Sequence, residues 1–125
     1  GQTAGFRPVS SFWPAGVGTG RSTPNRFVAL TSANPARIFG MYPQKGALLP
    51  GSDADIVIWN PDLKVKYGAV VAQHRTDYNL FEGWTLTGFP EKVFLRGNLI
   101  VDGRQWLGKR GMGRFLARKP GAPVL

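Results

Sequence analysis

The segment from Lys92 to Gly103 constrains the fold most. Val93-Phe94-Leu95-Arg96 and Leu99-Ile100-Val101-Asp102 flank Gly97-Asn98. Two apolar runs separated by Gly-Asn predict a β-hairpin, because both residues tolerate the positive φ of the primed turns. A hairpin commits this part of the chain to an antiparallel sheet. A lone hairpin is marginal in water and needs more strands, or a helix, against its apolar face. What the rest of the sequence supplies therefore decides which folds remain open.

Two further strands are expected upstream. Ile56-Val57-Ile58-Trp59 is a continuous apolar, β-branched run stopped by Asn60-Pro61. It reads as a strand buried on both faces. Lys64-Val65-Lys66-Tyr67 alternates polar and apolar, as a half-exposed strand does. Asp102-Gly103 offers a second turn after the hairpin.

Before the strands come two short helices, 24–32 and 35–39. Ser22 or Thr23 can cap the first, and Pro24 suits its first position. Phe27, Leu30 and Thr31 then share a face. Asn34-Pro35 repeats the start signal, which predicts a corner at Ser32–Asn34, and Gly40 sits where a left-handed C-cap would end the second helix. Neither helix is long enough to be stable alone. No long helix follows the strands to cover them, so sheet edges and an apolar face stay open. Partner strands are expected from outside the sequence.

The chain of 125 residues is too short for a complete α/β barrel of roughly 250. Hydrophobic residues at 42% make it too apolar for a disordered chain. Cysteine is absent, which excludes disulfides, thiolate nucleophiles and cysteine-based zinc sites. No apolar run is long enough to span a membrane. Gly1-Gln2-Thr3-Ala4-Gly5 carries neither an initiator Met nor a signal-like apolar stretch, and reads as the interior of something longer.

The net charge of +9 is unevenly spread. Residues 1–52 hold five basic residues and no acid, whereas all seven acids fall within 53–102. Residues 103–125 carry Arg104, Lys109, Arg110, Arg114, Arg118 and Lys119 with Trp106 and Phe115 interleaved. Such a tail can meet a phosphate backbone. No nucleic-acid motif accompanies it, so a solvated or subunit-facing tail is the favoured reading.

Catalytic groups are sparse. His74 is the only histidine, so a catalytic zinc site with its usual two or three histidines cannot be assembled. Asp53 and Asp55, if extended, point to opposite faces and read as turn chemistry rather than a shared ion site. Asp77 and Glu82 read as a structural network. Gly16-Val17-Gly18-Thr19-Gly20-Arg21-Ser22 lacks the Gly-Lys-Ser/Thr ending of a phosphate loop. Ser10, Ser11 and Ser32 lack a nucleophile-elbow context. No residue of this chain is assigned as catalytic or metal-binding, and no substrate-binding residue is identified.

Three stretches together carry a resemblance. The first runs from Asn25-Arg26-Phe27-Val28 through Thr31-Ser32-Ala33-Asn34-Pro35-Ala36-Arg37-Ile38-Phe39-Gly40 to Tyr42-Pro43-Gln44-Lys45-Gly46. The second is Pro50-Gly51-Ser52-Asp53-Ala54-Asp55-Ile56-Val57-Ile58-Trp59. The third is His74-Arg75-Thr76-Asp77-Tyr78-Asn79-Leu80-Phe81-Glu82-Gly83, followed by the hairpin. In this order they resemble the C-terminal end of the D-hydantoinases and dihydropyrimidinases, within the cyclic amidohydrolases. Family members often carry an acidic residue and an arginine after a glycine pair near the start, where this chain has Gly5-Phe6-Arg7-Pro8.

The resemblance implies a mixed α and β piece of a larger enzyme. Residues 1–45 would end a (β/α)8 barrel with a loop and two short helices. Residues 46–103 would form the C-terminal strands of a composite β-sandwich, and 104–125 an irregular basic tail. It implies two divalent metal ions, usually zinc, bridged by a carboxylated lysine in the parent protein and none bound by this chain. The implied reaction is hydrolysis of the ring amide of hydantoins or dihydropyrimidines. The implied partners are the missing N-terminal part of the same fold, a small cyclic amide substrate and further copies in a dimer or tetramer, in the cytoplasm, with no membrane or nucleic acid. Two alternatives accompany this reading. One is a non-catalytic scaffold of the collapsin-response-mediator type, and the other is a basic nucleic-acid-binding module.

Overall fold

The computed structural model describes residues 12–69 and 81–125. A wide helical turn, Trp13–Val17, opens the described chain. Helix α1 spans Pro24–Val28, a π-helical turn spans Ala29–Ala33, and helix α2 spans Asn34–Ile38. Strands β1 (Ile56–Lys66), β2 (Thr85–Leu95), β3 (Asn98–Asp102) and β4 (Gln105–Trp106) form one sheet in the order β1-β2-β3-β4. Every pairing is antiparallel.

The expected corner between the two helices is absent. Val28, Ala33 and Asn34 all keep right-handed helical dihedrals, so α1, the π turn and α2 form one rod. Pro35 has no N–H, and its ring crowds the carbonyl four residues back. The π turn accommodates it by widening the helix, with the Asn34 N–H donating to the Ala29 carbonyl instead. Thr23 supplies the N-cap, its Oγ1 accepting the Arg26 N–H at 3.2 Å. At the other end Gly40 adopts φ 66°, with Gly40 N–H on the Arg37 carbonyl and Met41 N–H on the Ala36 carbonyl. That pair is a Schellman motif, as the glycine predicts.

The two expected upstream strands are one long strand with a bulge. Asn60 pairs opposite Phe89 and Lys64 opposite Thr87, so Pro61–Leu63 face a single residue, Gly88. The Asn60 Oδ1 accepts the N–H groups of Asp62 at 3.0 Å and Leu63 at 3.1 Å, closing a turn inside the strand. Pro61 sits in the bulge, where no ladder hydrogen bond is demanded of it. Alternation along 64–67 holds, with Val65 and Tyr67 buried and both lysines exposed.

The burial expected at 56–59 is not found: Val57 is 54% and Ile58 45% exposed. The reason is topological, since β1 lies at the edge of the sheet. Leu48 and Leu49 are also exposed. Among the described residues only Phe27, Ala33, Ala36, Val65, Tyr67 and Leu86 form a buried apolar core.

The hairpin is present, but its turn is one residue earlier than predicted. Leu95 pairs with Asn98, so the loop is Arg96-Gly97, with φ of 46° and 78°. A primed turn needs positive φ at both central positions, and here the non-glycine one is Arg96. Asn98 instead starts β3, its amide donating to the carbonyls of Leu95 and Arg96.

The helical rod meets the sheet through aromatic rings. Phe27 lies 5.0 Å edge-on from Trp13 and 5.4 Å from Trp59, and Trp13 lies 5.3 Å from Trp59. Gly88 permits this, because a Cβ there would come within 2.1 Å of the Trp13 ring.

The tail differs from expectation at both ends. Gln105 and Trp106 add a fourth strand rather than joining an irregular segment, because Gly103 at φ 59° reverses the chain onto β3. Residues 107–125 hold no regular element, as expected, yet 119–125 lie along the helical rod. The Lys119 N–H donates to the Gly40 carbonyl and the Ala122 N–H to the Arg37 carbonyl, each at 2.9 Å.

Candidate functional site

Among the described residues, a group of ionisable side chains gathers where the 45–55 loop meets the hairpin turn. Lys45 follows the rod, and its ammonium contacts Asp53 at 2.9 Å and also Asp55. Asp53 accepts a second hydrogen bond from the Gln44 amide at 3.3 Å. Asp55 turns its other oxygen to the Arg96 N–H at 2.8 Å, and the Gly97 N–H reaches the Ala54 carbonyl at 2.9 Å. The Arg96 guanidinium extends to the Met112 carbonyl in the tail.

This corrects the expectation that Asp53 and Asp55 cannot share an ion. The Asp55 N–H donates to the Asp53 carbonyl at 2.8 Å, a three-residue turn that breaks strand alternation. Both carboxylates thus face one cation, which the protein itself supplies as Lys45. Partial burial opposes the charge on Lys45, but its hydrogen bonds to Asp55 and Asp53 outweigh it and raise its pKa. The hydrogen bond from Lys45 holds the Asp53 carboxyl below its usual value. A carboxylate held ionised in this way is a poor general acid near neutral pH. The cluster joins the post-helix loop, the hairpin turn and the tail, and it also compensates the backbone strain at Arg96.

The remaining sequence candidates are dispersed. His74, Asp77, Ser10 and Ser11 lie outside the described residues. Glu82 accepts the Ala69 N–H at 2.8 Å and packs on Gly68, where a Cβ would come within 2.9 Å of its carboxyl carbon. In the Gly16–Ser22 loop, the N–H groups of Gly18, Gly20 and Ser22 donate to Trp13, Val17 and Gly16 carbonyls, so they are not turned to an anion. Ser32 is exposed on the π turn. Among the described residues no group of three or more His, Cys, Asp or Glu side chains could hold a metal ion, and no helix is long and apolar enough to cross a membrane.

Lys45 and Arg96 were not singled out from the sequence. Arg96 acts through Asp55, distant along the chain, and Lys45 through carboxylates across the Pro50-Gly51 turn, a pairing that only the folded loop makes visible. The positive φ of Arg96 is hidden for the same reason, since Gly97-Asn98 looks like the better turn.

The described residues thus combine a helical rod capped by glycine, a Gly-Ser-Asp-Ala-Asp loop pinned by lysine and a four-stranded antiparallel sheet. The chain belongs to the amidohydrolase family, whose sequence model matches residues 9–100. It is 48% identical over 109 residues to a D-phenylhydantoinase of Escherichia coli, covering 87% of this chain and 24% of that protein. The fold superposes on a D-hydantoinase from Bacillus sp. AR9 with a TM-score of 0.87 at 36% identity, covering 92% of this chain and 25% of that one. A dihydropyrimidinase from Brevibacillus agri gives the same TM-score, identity and coverage. The chain therefore spans about a quarter of the length of the relatives it matches.

Proposed function

We propose that this chain is the C-terminal portion of a metal-dependent cyclic amidohydrolase that opens the ring amide C–N bond of hydantoins or dihydropyrimidines. The observation that carries this reading is the 48% identity to a D-phenylhydantoinase across 87% of the chain. On this reading residues 1–45 end the catalytic barrel, 46–103 complete a β-sandwich begun by the protein's N-terminal strands, and 104–125 form the tail. Exposed Val57 and Ile58 on the edge strand support the sandwich assignment, because an apolar edge calls for a partner. The cytoplasm and a homo-oligomeric state belong to the same proposal.

The parent enzyme would use two divalent metal ions, zinc by expectation, and a carboxylated lysine. When bound, such ions lower the pKa of a water and polarise the ring carbonyl. The described residues of this chain do not fit that group. They bring no cluster of metal donors together, and Asp53 and Asp55 are committed to Lys45. No step of the reaction is assigned to a residue here, and the role of the chain is to support the barrel end.

The test is zinc-dependent ring opening of dihydrouracil and hydantoin, assayed for the intact protein and for residues 1–125 alone. Turnover by the intact protein and none by the 125-residue chain is expected. Metal-dependent turnover by the isolated chain would overturn the assignment of the active site to another part of the protein.

A further inference from the structure

We propose that residues 119–125 form a releasable strap that latches the C-terminal half of the helical rod. The strap runs antiparallel to the rod and contacts it at four levels, the outermost being the Arg26 guanidinium, which donates to the Leu125 carbonyl at 3.5 Å. At the C-terminal end, the Lys119 N–H donates to the Gly40 carbonyl at 2.9 Å. In the middle, the Ala122 N–H donates to the Arg37 carbonyl at 2.9 Å, and the Arg37 guanidinium returns to the Pro123 carbonyl at 3.3 Å. Toward the π turn, Asn34 closes the contact. Its Oδ1 accepts the Leu125 N–H at 2.9 Å, and its Nδ2 donates to the Leu125 carbonyl at 3.3 Å.

Asn34 identifies the contact as built rather than incidental. It is the one buried polar residue among those described, at 8% exposure. An asparagine inside a helix is costly there unless its amide is satisfied. The Asn34 amide uses its oxygen as acceptor and one N–H as donor on the N–H and carbonyl of a single residue, so it reads main chain without regard to side chain. Close approach is secured by two glycines. A Cβ on Gly40 would lie 1.6 Å from the Lys119 carbonyl oxygen, and one on Gly121 would lie 2.8 Å from the Ile38 carbonyl oxygen.

The same contacts give the strap its release. Its residues are exposed and hold no regular structure, and it grips by a handful of hydrogen bonds rather than by a buried apolar face. Local opening of such a segment costs far less than global unfolding. Released, it would leave the Asn34 amide and the Arg37 and Gly40 carbonyls open to water.

The proposal is tested by native-state hydrogen exchange on the intact protein, comparing the unaltered chain with Asn34→Ala and, separately, Gly121→Val. Gly121→Val leaves the rod's own sequence unaltered. At least tenfold faster exchange at the Lys119 and Ala122 amides is expected in both variants. Phe39 to Tyr42 should follow, with Val93 and Val101 in the hairpin unchanged. Unaltered exchange at Lys119 and Ala122 in either variant overturns the strap. So does a loss of protection that spreads equally to the hairpin, because the segment would then be part of the global core rather than a latch.

Discussion

The helical rod and the outer strand of the sheet are similarly apolar in sequence and both keep apolar side chains exposed, but they differ in how they are tied. The rod leaves Val28, Leu30, Ile38 and Phe39 exposed, yet its ends and one face are fixed. Phe27 is buried among Trp13, Trp59 and Phe12, the last carbonyls are capped through Gly40, and the Asn34 amide is paired through its oxygen and one N–H. Strand β1 keeps Val57 and Ile58 exposed on the edge of the sheet and buries Val65 further along. The difference teaches that apolarity alone does not determine burial within a chain. Phe27 of the rod finds its cover at long sequence separation, against Trp59 of β1, whereas Val57 and Ile58 of the same strand stay exposed. Apolar side chains left exposed on both the rod and β1 fit a portion of a larger protein, in keeping with its span of about a quarter of its relatives.

The contrast can be broken or sharpened by substitutions in the intact protein. The largest effect is expected from Phe27→Ala, which removes the ring joining rod and sheet. It should cost about 4 kcal/mol in denaturant unfolding. Gly40→Ala comes next, at about 3 kcal/mol, because it combines positive φ with a collision against Lys119. Val57→Asp addresses the exposed edge directly. If partner strands cover β1, a charge there should cost about 2 kcal/mol. A change within roughly 0.5 kcal/mol would mean that β1 stays exposed in the intact protein.

The smallest effect should come from the Lys45 cluster, and it depends on pH. Asp53 has a lowered pKa, so its stabilising contribution is present above the usual aspartate value of about 3.9 and is lost as pH falls through the folded value. Lys45 has a raised pKa, so its contribution is present below the usual lysine value of about 10.4 and is lost as pH rises through the folded value. Lys45→Met should therefore reduce stability across the window between these limits and flatten its pH dependence at both ends. Unfolding titrations at several pH values check this, and an unchanged acid limb would contradict the pairing.

Local signals made part of this fold legible. Thr23, Pro24 and Gly40 mark the ends of the rod, and the alternation at 64–67 marks the half-buried strand. The misreadings have physical causes. Asn34-Pro35 looks like a helix start, but the Asn34 amide is taken up by Leu125, far along the chain. Asn60-Pro61 looks like a strand end, but an Asx turn lets the strand resume after a bulge. Gly97-Asn98 looks like the turn, but contacts with Asp55 and Ala54 draw Arg96 into the positive-φ position. The first and the third depend on partners that a local window does not contain, whereas the Asx turn is local and is disguised by Pro61. The ionic hub at Lys45 was hidden because only the folded loop makes it visible, whereas the family resemblance was visible because it rests on ordered motifs.

The claim that the sheet is incomplete is tested most directly by thermal unfolding of residues 1–125 alone, followed by near-ultraviolet circular dichroism on a sample shown to be monomeric. A broad, weakly cooperative transition is expected, beside a sharp transition in the intact protein. A single sharp, reversible transition of the monomeric chain would contradict the account, because it would show that the open strand needs no partner.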